Sequence, residues 1–238
     1  ARFIRKNKES INKTRIIQVF KKGSDGELAA NGFTNTWKTF NEKFRQGSEL
    51  INIDNNQPAS LENALSNQAL SIILIWDGMD ETTSHILSNT IEKGGTDMVF
   101  MSSRLLQENY SLISDELREA SYITYPYSVP GDKDRHISTL KTWLEIKGIP
   151  ITNLKIQSEM YFLGWMLSDA LSGIKSEFYR EYFLERIEMM KDHTHTISVY
   201  PRLSLGPDQR YASKGCYIVQ LEKGDSPKLQ VKSNWVIH

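Results

Sequence analysis

The stretch SIILIWDGMDE, residues 71–81, decides the fold class. It is an apolar run closed by Trp76 that breaks at once into Asp77, Gly78, Met79, Asp80 and Glu81. A strand covered on both faces reads as an unbroken apolar run rather than an alternating one. TDMVFM (96–101) reads the same way, and TRIIQVF (14–20), SELINID (48–54) and SYITYP (121–126) are further β-rich runs. Between them lie helical patterns. ELAANGFTNTWKTFNEKF (27–44) sets Leu28, Phe33, Trp37, Phe40 and Phe44 near helical spacing. PASLENALSNQAL (58–70) opens with Pro58 and places Leu61 and Leu65 on one face. DETTSHILSNTIEKGG (80–95) carries a stripe of Ile86, Leu87 and Ile91 and stops at Gly94 and Gly95, and SSRLLQENYSLISDELREA (102–120) offers Ser102 or Ser103 as its N-cap.

Strands joined through single helices run parallel. The pattern therefore predicts an α/β protein with a doubly wound, mostly parallel sheet flanked by helices. In such sheets ligands bind outside the carboxyl ends of the strands, here the loops beginning at Gly23, Trp76, Met101 and Tyr125. Beyond Pro126 the pattern changes to helices over 135–148, 154–173 and 176–190, followed by short alternating strands broken by Gly206, Pro207, Gly215 and Gly224. In the 154–173 helix Met160, Leu163, Leu167 and Leu171 form a long apolar face, and EKGD (222–225) is read as a hairpin turn. The organisation expected is one lobe made of 1–125 with 197–238, and a helical segment, 126–196, that leaves it.

Composition narrows the function. Among 238 residues, 29 Lys and Arg balance 29 Asp and Glu, so no net field recruits nucleic acid or an anionic membrane. Apolar runs of about six residues are far short of the roughly 20 that span a bilayer. Cys216 is the only cysteine, which excludes an internal disulfide and any zinc site built on several cysteines. Phosphate-cradling glycine motifs and a GxSxG elbow are absent. His193 and His195, two residues apart near Met189 and Met190, form two potential ligands with no identifiable third, and read as a loop. Asp80 and Glu81, with Asp54 earlier, offer a carboxylate set for acid and base work, but acids at a helix start are explained by the helix dipole. Trp76 joined by Ser102, Ser103 and Tyr125 gives a flat face with hydroxyls, the mixture small-molecule pockets use, and a core role for Trp76 fits equally.

With these residues in view, the chain resembles the C-terminal two thirds of a type I periplasmic substrate-binding protein, the extracellular ligand-binding family that includes branched-chain amino acid receptors. TRIIQVFKKGSDGELAANGFTNTWK (14–38) is similar to the strand, turn and helix that open the family's second lobe. LSIILIWDGMDETTSHILSNTIEKG (70–94) resembles the segment whose loop meets ligand, and ASYITYPYSVPGD (120–132) the crossover back to the first lobe. SEMYFLGWMLSDAL (158–171) and YPRLSLGPDQRYASKGCYIVQLEKG (200–224) resemble the long helix and the closing strands.

The resemblance implies a non-catalytic protein, with no cofactor, that captures a small molecule in a cleft between lobes and serves a membrane permease or sensor in an ABC-type system, exported to the periplasm or outside the cell. Carried over, the ligand contacts are Ser24, Asp25, Trp76, Asp77, Gly78, Met79, Glu81, Ser102 and Ser103, with Thr82 close behind. Tyr125, Pro126 and Tyr127 lie at the hinge, and Tyr161 starts the helix facing the cleft. Where the family's amino-acid binders follow that tyrosine with an acid, Phe162 stands, and an ammonium beside phenylalanine is costly to desolvate. An apolar or aromatic solute is the alternative guest. The family's first lobe precedes the segment matched by Ala1, so it either lies outside this sequence or is absent, and a half-clamp binds weakly or not at all. The competing functions are an interaction module that keeps the fold without a small-molecule site, and an enzyme on a similar sheet.

Overall fold

The structure is a computed structural model. It describes residues 1–7, 15–44, 49–54, 58–66, 70–107, 109–129, 135–175, 177–190, 198–203, 205, 211–224 and 228–237. His193, His195, Gly206, Pro207 and His238 lie outside the described residues, as do the side chains of Phe40, Phe44, Pro58 and His136. The chain divides into two compact units, Ala1–Tyr125 with Ile218–Asn234, and Pro126–Tyr217 with Trp235–His238.

The first unit is α/β. After α1 (Arg2–Asn7) come β1 (Arg15–Phe20), α2 (Asp25–Phe44), β2 (Leu50–Asp54), α3 (Pro58–Leu65), β3 (Ser71–Ile75), α4 (Glu81–Glu92), β4 (Thr96–Ser102), α5 (Ser103–Leu106), α6 (Asp115–Ala120) and β5 (Ser121–Tyr125). The strand order begins β2-β1-β3-β4-β5, and continues into β6 (Gly215–Leu221) and β7 (Leu229–Val231). The pairs β1–β2, β1–β3, β3–β4 and β4–β5 are parallel and β6–β7 antiparallel. The sheet is thus mostly parallel and flanked by helices, as its apolar runs predict. Every residue of β3 is buried, and in β1 all but Arg15.

Helix α2 covers the sheet through Ala30, Phe33 and Trp37. Trp37 is 1% exposed and stacks on Phe33, with centroids 5.6 Å apart, a burial worth about 2–3 kcal/mol. Leu28, expected on that face, is 70% exposed; Ala30 and Trp37 take the buried stripe instead. The region 102–120 is not one helix. Ser102 caps α5, but Gln107 adopts the left-handed conformation (φ 48°) and ends it after one turn, and a 3-10 turn at Tyr110–Leu112 precedes α6, which Ser114 caps. Ser84 and Ser88 of α4 bond to Leu112 O and the Ser114 hydroxyl and hold this broken segment in place.

The second unit is mainly helical: α7 (Arg135–Ile146), α8 (Leu154–Ser172) and α9 (Arg180–Glu188), with the start of β6 pairing β8 (Val236–Ile237) antiparallel. Ile137, Leu140 and Leu144 of α7 form one buried cluster in it, and Leu154, Tyr161 and Val199 pack on them.

Candidate functional site

The order β2-β1-β3 reverses direction of progression at β1 and β3, and this switch point is where open α/β sheets form their crevice. Four neighbouring parallel strands end here. Val19 pairs with Ile75, and Ser102 with Thr124, so the loops after Phe20, Ile75, Ser102 and Tyr125 share one edge of the first unit.

At the switch point the two loop tips are fastened to each other by Asp77. Its Oδ1 accepts the Lys21 backbone N–H at 2.5 Å, and its Oδ2 accepts the Ser24 hydroxyl. Ser24 Oγ in turn accepts the Gly26 N–H at 3.1 Å. Two further amides of this turn are satisfied by carboxylates, Lys22 N–H by Asp54 (3.1 Å) and Gly23 N–H by Glu27 (2.7 Å), and Ser24 N–H by the Lys21 carbonyl (3.1 Å). Asp77 and Ser24 are therefore brought together, and both are engaged in holding the turn. Asp25 is exposed in the first turn of α2.

Trp76 extends the β3 ladder by one bond, its N–H donating to Val19 O at 2.9 Å. Its indole turns to the α2 side of the sheet. Nε1 donates to Gln18 Oε1 (2.9 Å), and Phe33 lies tilted against the ring at 6.0 Å. Gln18 Nε2 donates to Thr34 Oγ1 and Asn52 Oδ1, each at 2.9 Å. Trp76 thus belongs partly to the packing layer and stays half-buried rather than fully covered.

Gly78 sits at φ +72°, a left-handed geometry that favours glycine, and its carbonyl accepts the Thr83 hydroxyl at 3.0 Å. Met79 is buried. Asp80 is the N-cap of α4 and accepts the Thr83 N–H at 2.8 Å, the main reason its carboxyl is held below the ordinary value of 3.8; burial opposes this, and the Thr83 hydroxyl and the nearby Lys21 charge add to it. Glu81 and Thr82 are exposed in the following turn. The acids thus serve as a cap and in helix first turns, the role the helix dipole gives them.

On the next loops, Ser102 Oγ accepts the Arg104 and Leu105 N–H groups, whereas Ser103 is buried with its hydroxyl unpartnered among the described residues. Tyr125 is half-buried at the end of β5. Tyr127 and Tyr161 belong to the second unit. Tyr127 packs against Tyr200 at 5.1 Å beneath Lys155 Nζ at 3.8 Å, and Tyr161 lies against Trp143 at 5.2 Å. Burial first, then the bond to Glu159 (3.0 Å), raises the Tyr200 phenol above its ordinary 10.0. A shallow apolar groove of about 300 Å³ lies in this unit between Met160, Phe162 and Leu163 of α8 and Ser198, Tyr200 and Leu203.

The sequence reading missed Gln18, Gly26, Thr34 and Asn52. The signal was present for Gln18: a glutamine inside the apolar run RIIQVF must find partners for its amide when buried. Gly26 had none, because its constraint comes from a residue 51 positions away, Asp77.

No family model and no curated protein matches the sequence. Solved structures match the fold. A substrate-binding protein of an ABC transporter from Aeropyrum pernix aligns over 94% of this chain and 60% of its own, with TM-score 0.58 and 13% identity. A branched-chain amino acid ABC transporter protein from Thermus thermophilus with bound valine aligns over all of this chain and 63% of its own (TM-score 0.62, 9% identity). A fatty acid ABC transporter substrate-binding protein from Thermomonospora curvata covers 100% and 61% (TM-score 0.57, 12% identity). The chain has the fold of type I periplasmic binding proteins and spans about three fifths of the length of these structures. Among the described residues no helix is long and apolar enough to cross a membrane.

Proposed function

We propose that this chain is part of a non-catalytic solute-binding protein that captures a small molecule for an ABC-type uptake or sensing system in the periplasm or outside the cell. The observation that carries the reading is the switch-point edge, where the loops after β1, β3, β4 and β5 end side by side in a fold whose solved neighbours bear the names of substrate-binding proteins. In this proposal the first unit is the ligand-binding lobe, and the guest is held between lobes. Its contacts on this lobe come from Gly78, Met79, Glu81, Thr82, Ser102, Ser103, Tyr125 and Trp76, with Ser24, Asp25 and Asp77 shaping the turn beside it. The neighbours named for fatty acid and for valine show that one fold receives both an aliphatic acid and an amino acid. Phe162 beside Tyr161 favours the guest without an ammonium. A membrane permease or sensor is the partner.

The test is titration of the full-length protein that contains this chain with amino acids, amides, aromatic acids and fatty acids, read by thermal unfolding and by amide chemical shifts, the second of which registers millimolar binding. A saturable rise in Tm with one class, and shifts at residues 21–25, 76–82 and 102–103, support the reading. No response to any class overturns it.

A second reading, an interaction module that keeps the fold without a small-molecule site, is favoured by the apolar face of α8, where Met160, Leu163, Leu167 and Leu171 are each more than two fifths exposed. Stable association of the chain with a protein partner, together with silence in the titration, selects it.

A further inference from the structure

Resting on the reading of the strand-end edge as a solute site, we propose that Gln18 is its positioning residue, holding the Trp76 indole by its N–H so that Trp76 offers only ring carbon to the guest. Gln18 is 0% exposed and lies in β1 between Ile17 and Val19, both also fully buried. A buried amide without partners is costly, and here each hydrogen and the oxygen are engaged. Nε2 donates to Thr34 Oγ1 on α2 and Asn52 Oδ1 on β2, and Oε1 accepts from Trp76 Nε1 just past β3, all at 2.9 Å. The indole has no second donor, so the single hydrogen-bonding group of Trp76 faces inward.

The ring is also fixed from behind. Phe33 lies 6.0 Å from it, and Phe33 itself stacks on buried Trp37. Two strands and a helix thus converge through one amide on one side chain at the switch point. Trp76 nevertheless remains half-buried, and the one hydrogen-bonding group of its side chain is already engaged by Gln18. The part of the solute that lies against the ring is therefore a hydrocarbon or aromatic surface.

The experiment follows the indole N–H resonance of Trp76 in the 238-residue chain, identified by its loss in W76F, in the parent, Q18M and Q18E. Methionine keeps the volume and removes all three hydrogen bonds. Glutamate keeps an acceptor for Trp76, and the Thr34 hydroxyl and the exposed Asn52 amide can turn to donate to it. In Q18M the resonance is expected to move and its exchange with deuterium to accelerate about tenfold, while Q18E restores slow exchange. A resonance unmoved in Q18M overturns the positioning role. Phenylacetate and octanoate are expected to shift the Trp76 resonance, and a response at residues 21–25 or 102–103 that leaves the Trp76 resonance unmoved overturns the solute class. If neither acid, added to the full-length protein that contains this chain, shifts any resonance of residues 21–25, 76–82 or 102–103, the solute-binding reading falls and the class with it, while the guest-free comparison of parent, Q18M and Q18E still decides the role of Gln18.

Discussion

The Asp77 carboxylate occupies the space in which a side chain on Gly26 would begin, so these two residues, 51 positions apart, fix each other's identity. The carboxylate is held there by the Lys21 N–H and the Ser24 hydroxyl and has no cheap alternative position. Gly26→Ala is therefore expected to destabilise the chain by about 1–3 kcal/mol, the range for overpacking. With Asp77→Ser in place the sign should reverse or vanish, because residue 26 lies in the first turn of α2, where alanine is about 1 kcal/mol better than glycine. Denaturant midpoints of the parent, both single variants and the double variant measure the coupling. Simple additivity would show that Asp77 does not sit in this turn.

Asp80 links the switch-point loop to α4. Its carboxyl is held low chiefly by the Thr83 N–H, so the ionised form is the one the folded state prefers. The contribution is present above the ordinary value of 3.8 and is lost as pH falls through the still lower folded value. Asp80→Ala should cost about 1 kcal/mol at neutral pH through the lost cap. Asp80→Asn keeps a cap, should cost only a few tenths, and should flatten the acid limb of the curve of urea midpoint against pH. Because Asp80 is mostly exposed, the charge-dependent part is small. An acid limb identical in parent and Asp80→Asn would refute the assignment.

The sheet was legible because each strand states its environment directly. SIILI is buried on both faces and reads as an unbroken apolar run, and Gly94, at φ +73°, marks the end of α4. Two things were not. The break at Gln107 depends on one left-handed residue that no local motif announces, so 102–120 read as a single helix. The edge residues were legible as types but not as roles. Trp76 and Asp77 look like guest contacts in isolation, and only the fold reveals that Gln18 and the 21–24 turn already engage their polar atoms, since those partners lie more than 50 positions away.

In the second unit Tyr200 couples α8 to the segment that follows α9. Burial, and then the Glu159 carboxylate, raise its phenol, so the folded state favours the protonated form. Its stabilisation is complete below the ordinary value of 10.0 and is lost as pH rises toward the folded value. Tyr200→Phe should cost about 1 kcal/mol at neutral pH, for the lost hydrogen bond, and should remove part of the alkaline fall in stability. Following tyrosinate absorbance during an alkaline titration checks this independently: the variant should lose one of the phenols that ionise late. If the late phase is unchanged, Tyr200 is not the group responsible.

Helix α8 presents Ile156, Met160, Leu163, Leu167 and Leu171 along one side at intervals of four, three, four and four, with exposures of 54, 57, 45, 48 and 44%. A face this apolar and this open exceeds what scattered surface leucines explain, and contiguous patches of that kind promote association. M160K with L167K should leave the free energy of unfolding within about 1 kcal/mol of the parent, since neither side chain is buried and lysine is a good helix former. The same double variant should bind less of a hydrophobic dye and sediment as a smaller species at high protein concentration. A large loss of stability in M160K/L167K would mean that the face is packed in solution, and the exposure of these five residues would then be the wrong starting point for any partner of this unit.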